Sequence, residues 1–371
     1  MPRGVTHDPQ NASSAGRATT WRADDPGRTH QPGPGQLAGD RYGRDTAARP
    51  PAEPLPPDCD AARGKETRRH RMHPIRPEEL LLAVFAGGLA VLAVVARVVP
   101  RWLSTLASDL SIALVGVAVV VASLVALRRL RPARHQRAVR VLLGTLRAFL
   151  PLVACVLCYS TLRDLTPALG FPLHDQQLAA IDRVVLRVDA SRWLDDHLGS
   201  PGMTLFTTLC YLSYGSAQAA WAINRYLGGH VRAYRDFSLA ISLTGVLGYS
   251  GYVLVPGVGP HIWQASRYAD RLPGEHGLVG RLLEAINDFQ GPARDVFPSL
   301  HTGMTVVLLF YLWRDGRTLF WCYLPVACGL ILSTVYLRKH YVVDVVAGLA
   351  VAGMAIALAG PINRWWYSAA A

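Results

Sequence analysis

Eight stretches of this chain are too long and too apolar for an ordinary soluble core. They cover residues 79–99, 106–127, 141–161, 203–227, 237–256, 299–314, 318–336 and 341–360. A helix of about 20 mostly apolar residues crosses a bilayer. Hydrocarbon offers no partner to a free backbone N–H or C=O, so each stretch must be helical. The expected fold class is therefore all-α, a polytopic transmembrane helix bundle of about eight spans. Two stretches fit less well: 299–314 is short, and 141–161 carries Arg147.

The apolar character stops before residue 78. Residues 1–77 hold 12 of the 25 prolines and no apolar run, so they cannot offset the entropy of ordering. They are expected to form a disordered Pro/Arg-rich cytoplasmic tail. The rest divides into N-terminal transmembrane helices (78–162), an extracytoplasmic amphipathic connection (163–202) and a membrane domain (203–362) that carries the polar clusters.

The net charge of +12 does not indicate nucleic acid. The chain has two lysines, Lys65 and Lys339, and much of its arginine lies in short loops between apolar stretches. That distribution marks cytoplasmic loops. RRLRPARHQRAVR (128–140) holds six arginines and no acid, Arg232 and Arg235 follow the fourth stretch, and Arg314 and Arg317 bracket the loop between the sixth and seventh. With these loops inside, the long connections 162–202 and 257–298 and the turn at 337–341 fall outside. A multi-pass plasma-membrane protein is expected, with its polar clusters extracytoplasmic. Cys155 and Cys158 have C-x-x-C spacing but sit in an apolar stretch without polar company, which does not suggest a metal or redox site.

Residues 174–198 carry a helical stripe of Leu178, Ile181, Val184, Val185 and Val188. This helix either lies on the outer leaflet or packs on the bundle.

The expected topology brings three stretches to one face: GYVLVPGVGPHIW (251–263), FPSLHTG (297–303) and RKHYVVD (338–344). His340 and Asp344 are four apart, hence on one helix face. An acidic partner on one imidazole nitrogen leaves the other free to attack. His301 opens a neighbouring helix and can face His340. One imidazole as nucleophile and one as acid–base suit phosphoryl transfer. Arg338 suits an anionic phosphate through its planar fork, and Ser299 adds a hydroxyl at a helix start that itself favours anions. Arg338 and Lys339 also fit as boundary anchors.

Pro298-Ser299-Leu300-His301-Thr302 and the run from Tyr336 to Gly348 (YLRKHYVVDVVAG) resemble the second and third signature motifs of the type 2 phosphatidic acid phosphatase superfamily. GYVLVPGVGP resembles its inositol-phosphorylceramide synthase-like branch. The resemblance covers roughly residues 200–360 and implies a six-helix-type phosphatase core. It implies that His340 attacks phosphorus, Asp344 orients it, and His301 protonates the leaving oxygen and then activates the acceptor. It assigns Arg338 and Ser299 to the phosphate and implies no metal or cofactor. The usual first motif, a Lys with Arg-Pro seven residues on, is absent. Neither Lys65 nor Lys339 fits its lysine, and Arg294 is the expected substitute, ahead of Arg267, Arg271 and His261. The expected activity is hydrolysis of a lipid phosphate at the membrane. The alternatives are transfer of a phospho-headgroup such as phosphoinositol between lipids, and a non-catalytic lipid-binding or scaffold protein that keeps the fold.

Overall fold

The computed structural model describes residues 75–104, 135–268, 271–290 and 293–368. The expected tail up to residue 74 and the expected span at 106–127 lie outside the described residues. Helices account for nearly all of what is described. In chain order they are α1 (Pro77–Val95), α2 (Arg101–Ser104), α3 (His135–Ala168), α4 (Asp175–Leu186), α5 (Ala190–Leu198), α6 (Pro201–Leu212), α7 (Ser216–Leu227), α8 (Val231–Leu254), α9 (Pro260–Trp263), α10 (Gly277–Gln290), α11 (Leu300–Asp315), α12 (Arg317–Tyr336) and α13 (Val342–Ser368). Five are long and apolar enough to cross a membrane: α1, residues 141–168 of α3, α8, α12 and α13. The fold is an all-α membrane helix bundle.

Helix α8 lies at its centre. Phe237, Leu239, Ala240 and Ile241 are buried, and α8 packs against α1, α3, α11 and α13. Tyr234 donates to the Ala148 carbonyl and Tyr249 to that of Cys155, which fastens α8 to α3. Helix α1 starts on Pro77, and the Glu79 side chain accepts from the Arg76 amide, a capping arrangement that meets one of the free N–H groups of a first turn. Glu79 also receives both Nε and Nη2 of Arg147 at 2.7 Å. That pairing explains how an arginine is tolerated within the apolar stretch 141–161 of α3.

The stretch 203–227 is one span by sequence. In the structure it breaks at Ser213–Gly215 into α6 and α7, because Gly215 takes φ +79°, a left-handed value foreign to a helix. The polar run Ser213-Tyr214-Gly215-Ser216 is the sequence signal of that break. Helix 174–198 likewise breaks, at Arg187 with φ +63°. Its stripe is divided: Leu178 faces the bundle, while Ile181, Val184, Val185 and Val188 are exposed. The face that α4 turns inward also carries two acids, Asp175 and Asp182.

Connectivity brings the ends of α8 and α12 and the starts of α11 and α13 to one end of the bundle. Helix α4 packs there against α13. Glycine permits the closest of these approaches. A Cβ on Gly348 of α13 would lie 2.3 Å from the Ser299 carbonyl oxygen, so α13 and the start of α11 meet at backbone distance.

Candidate active site

The two histidines converge. His340 follows the turn that leaves α12, where its amide and that of Lys339 both donate to the Thr334 carbonyl. His301 occupies the second position of α11, whose N-cap is Ser299. The His340 Nε2 and His301 Nδ1 atoms are 3.3 Å apart. His340 Nδ1 lies 2.8 Å from the Val296 carbonyl oxygen, which only accepts, so this nitrogen carries a proton. In the neutral ring Nε2 then keeps its lone pair, directed at His301.

Asp344 stands 3.5 Å from the same Nδ1 through Oδ2. Its Oδ2 also accepts from the Tyr341 amide at 2.7 Å, and its backbone carbonyl accepts from the Ser299 amide. The Asp344 side chain is fully buried, and the Val296 carbonyl fixes the His340 tautomer. The ring of His301 lies between Tyr211 and Tyr214, with centroids at 4.6 and 4.3 Å. The break between α6 and α7 places Tyr214 there.

Helix α4 secures this region from outside the bundle. Asp182 accepts from the Val342 and Val343 amides at 2.7 and 2.9 Å, capping α13 from another helix. Burial pushes the Asp182 carboxyl above the usual carboxylate range, and these two N–H bonds pull against that shift. Asp175 accepts from the Val258 and Gly259 amides and from the Tyr341 hydroxyl. Gly259, at φ +80°, lets this turn touch the Lys339 carbonyl, from which a Cβ would be 2.5 Å away. The Arg338 carbonyl accepts from the His261 amide. The VPGVGP run thus builds a turn that holds residues 338–340 in place.

A hollow opens beside the imidazole pair, lined by His261, Gln290, Asp295, Val296 and Lys339 as well as both histidines. A second hollow between α4 and α5 is lined by Asp182, Arg183, Asp189 and Gln264. It contains neither His301 nor His340. In the first hollow His261 stays neutral, because burial and the nearby Lys339 lower its pKa to about 3.

The structure therefore brings His301, His340 and Asp344 together. The cations expected for phosphate lie elsewhere. Arg338, at φ +61°, pairs through Nη2 with Asp195 at 2.5 Å and covers the Tyr268 ring. Arg294 donates to the Phe171 carbonyl, and Ser299 caps α11 by accepting from Thr302. None of these three lines the hollow. Lys339, Gln290, Asp295 and the two acids of α4 do not stand out by sequence position. Gln290 and Asp295 leave no signal; Lys339 is the single lysine after residue 65, and Asp175 and Asp182 fall seven apart on a helix otherwise read by its apolar stripe.

No curated protein and no solved structure matches the chain. The residues that build the hollow, together with Asp182, lie within 176–358, the stretch matched by a family model described as the PAP2 superfamily, and that match supports a lipid-phosphatase type of function.

Proposed function

We propose that this protein is a multi-pass membrane enzyme that hydrolyses a lipid phosphate through a phosphohistidine on His340. The Nε2 lone pair attacks phosphorus and the P–O bond to the lipid breaks. His301, carrying a second proton as the imidazolium beside the bound anionic phosphate, supplies that proton to the departing lipid oxygen and becomes neutral. In the second step His301 takes a proton from water, the water oxygen attacks phosphorus, and the P–N bond breaks. Both imidazoles end as they began, and the products are lipid alcohol and inorganic phosphate.

The observation that carries this reading is the 3.3 Å approach of two imidazoles from different helices, with the far nitrogen of His340 already committed to a carbonyl. Depth agrees with it. The 16 residues of α11 rise about 24 Å, short of a hydrocarbon core of about 30 Å. With Arg314 and Asp315 at one interface, His301 stops below the other, where a phosphate head can reach it while its tail stays in lipid. The arginine-rich loops support an extracytoplasmic position for the site.

A second reading, transfer to an alcohol, draws support from Asp295 and Gln290. Both line the hollow, and a carboxylate or amide oxygen there accepts from the hydroxyl of an acceptor alcohol. The test of both is a panel of phosphatidic acid, polyprenyl pyrophosphate and phosphoinositol lipids, with and without an alcohol acceptor. His340-dependent phosphate release supports hydrolysis. Product that contains the acceptor supports transfer. Neither product from any substrate contradicts the enzyme reading.

A further inference from the structure

Lys339 and Arg338 are adjacent, yet their charges are treated in opposite ways. Arg338 is neutralised by Asp195 and stacked on Tyr268. Lys339 is 6% exposed, and its ammonium donates to the amide oxygen of Asn287 on α10, a neutral partner. Among the described residues no carboxylate comes within ion-pair distance of it. Asp295 and Glu275 act on it only from farther off. The remaining titratable groups around it are His261, His301 and His340, none of which offers negative charge. A buried ammonium is costly to keep without a counterion. This one lines the hollow that holds both imidazoles, so the missing anion belongs in that hollow.

We propose that Lys339 is the cation that binds the substrate's phosphate, in the role the absent first motif would otherwise fill, with His261 beside it. The assignment rests on the phosphoryl-transfer reading for its substrate, but the anion site can be tested without turnover. A lysine suits the position. It is a compact point charge with rotatable donors, whereas the fork of Arg338 is already engaged. The left-handed backbone at Arg338 helps turn the two neighbouring side chains to different surroundings.

The experiment uses the full chain in detergent micelles and titrates inorganic phosphate, followed by 31P line broadening, alongside KM for the preferred lipid phosphate. Lys339→Gln is expected to weaken phosphate binding and raise KM at least tenfold. Asn287→Asp gives the ammonium an internal counterion without removing it, and it too is expected to weaken phosphate at least tenfold. Arg281→Gln removes an exposed charge from the same helix α10 and is expected to leave both constants within twofold. Phosphate binding by Lys339→Gln or Asn287→Asp within twofold of wild type overturns the assignment, as does a wild-type protein that binds no phosphate. A wild-type protein that binds phosphate through Lys339 but turns over no lipid phosphate supports the anion site and defeats the enzyme reading instead.

Discussion

The carboxylate of Asp182 on α4 receives the Val342 amide of α13 at 2.7 Å, two residues beyond His340. A helix at the edge of the bundle thereby sets the start of the helix that follows the proposed nucleophile. The same α4 exposes Ile181, Val184 and Val185, so the element that positions the histidine also presents an apolar face outward.

Loss of this cap is expected to misplace His340 more than it weakens substrate binding. Asp182→Ala removes the acceptor of two helix-terminal amides, a stabilisation of about 1–2 kcal/mol. A displacement of about 1 Å at a reacting centre can cost 10²-fold in rate. Steady-state kinetics of Asp182→Ala should show kcat lowered at least tenfold with KM within threefold. A rise in KM at unchanged kcat contradicts the positioning role.

The pH dependence follows from Lys339. Burial lowers its pKa to about 8, with Asp295 and Glu275 pulling the other way and His261, His301 and His340 around it. Below that value the ammonium is charged and holds phosphate; above it the charge is lost. The plot of kcat/KM, which reports the free enzyme, should fall on the alkaline side with a midpoint near pH 8. That limb should vanish in Lys339→Gln. Stability moves the other way. The folded pKa is below the unfolded one, so the unfolded chain holds more protons between pH 8 and 10.5, and this lysine's contribution to stability rises with pH across that window.

Gly348 marks the tightest approach between α13 and the start of α11. Gly348→Ala would place a methyl carbon 2.3 Å from the Ser299 carbonyl and force the two helices apart. Overpacking of this kind costs about 1–3 kcal/mol. A thermal midpoint lowered by several degrees, together with lost turnover, is expected. An unchanged midpoint and rate contradicts the packing account.

The Glu79–Arg147 pair ties α1 to α3 away from the active-site end. Arg147→Met leaves Glu79 with Arg76 as its remaining partner and should lower the thermal midpoint. Glu79→Gln combined with Arg147→Met should recover most of it, because pairing rather than packing is what the arginine supplies. Arg147 is one-third exposed, so the single-mutant loss should stay near about 1–2 kcal/mol.

Much of the bundle is legible in the sequence because lipid leaves a long apolar segment only one backbone solution. The ends of α8, α11, α12 and α13 fall within a few residues of the apolar stretches that predict them, apart from the start of α8 and the end of α13, where polar or amphipathic turns extend the helix. The approach of His301 and His340 is legible as well, because His301 opens one helix and His340 stands just before another, on the same side of the expected topology. What composition hides is direction. Nothing in Arg338-Lys339 says which cation turns toward the histidines; that depends on the left-handed backbone at Arg338 and on Asp195, 143 residues away. Asp344 is expected to fix the His340 tautomer by its spacing, yet the carbonyl of Val296, on no regular element, makes the shorter bond. Asp182 lies on a helix that the sequence marks by its apolar stripe alone, and tertiary packing is what turns it inward to α13. Backbone acceptors and caps from distant helices leave no periodic trace in a sequence.

The most direct test of the account is to quench the enzyme during a single turnover of lipid phosphate labelled with 32P and locate the label. An acid-labile, alkali-stable phosphoryl group is expected on His340, absent from His340→Ala and strongly reduced in a His301→Ala protein that can neither protonate the leaving oxygen nor activate the acceptor. A His340→Ala protein that hydrolyses the lipid at the wild-type rate, or label found on another residue, contradicts the account.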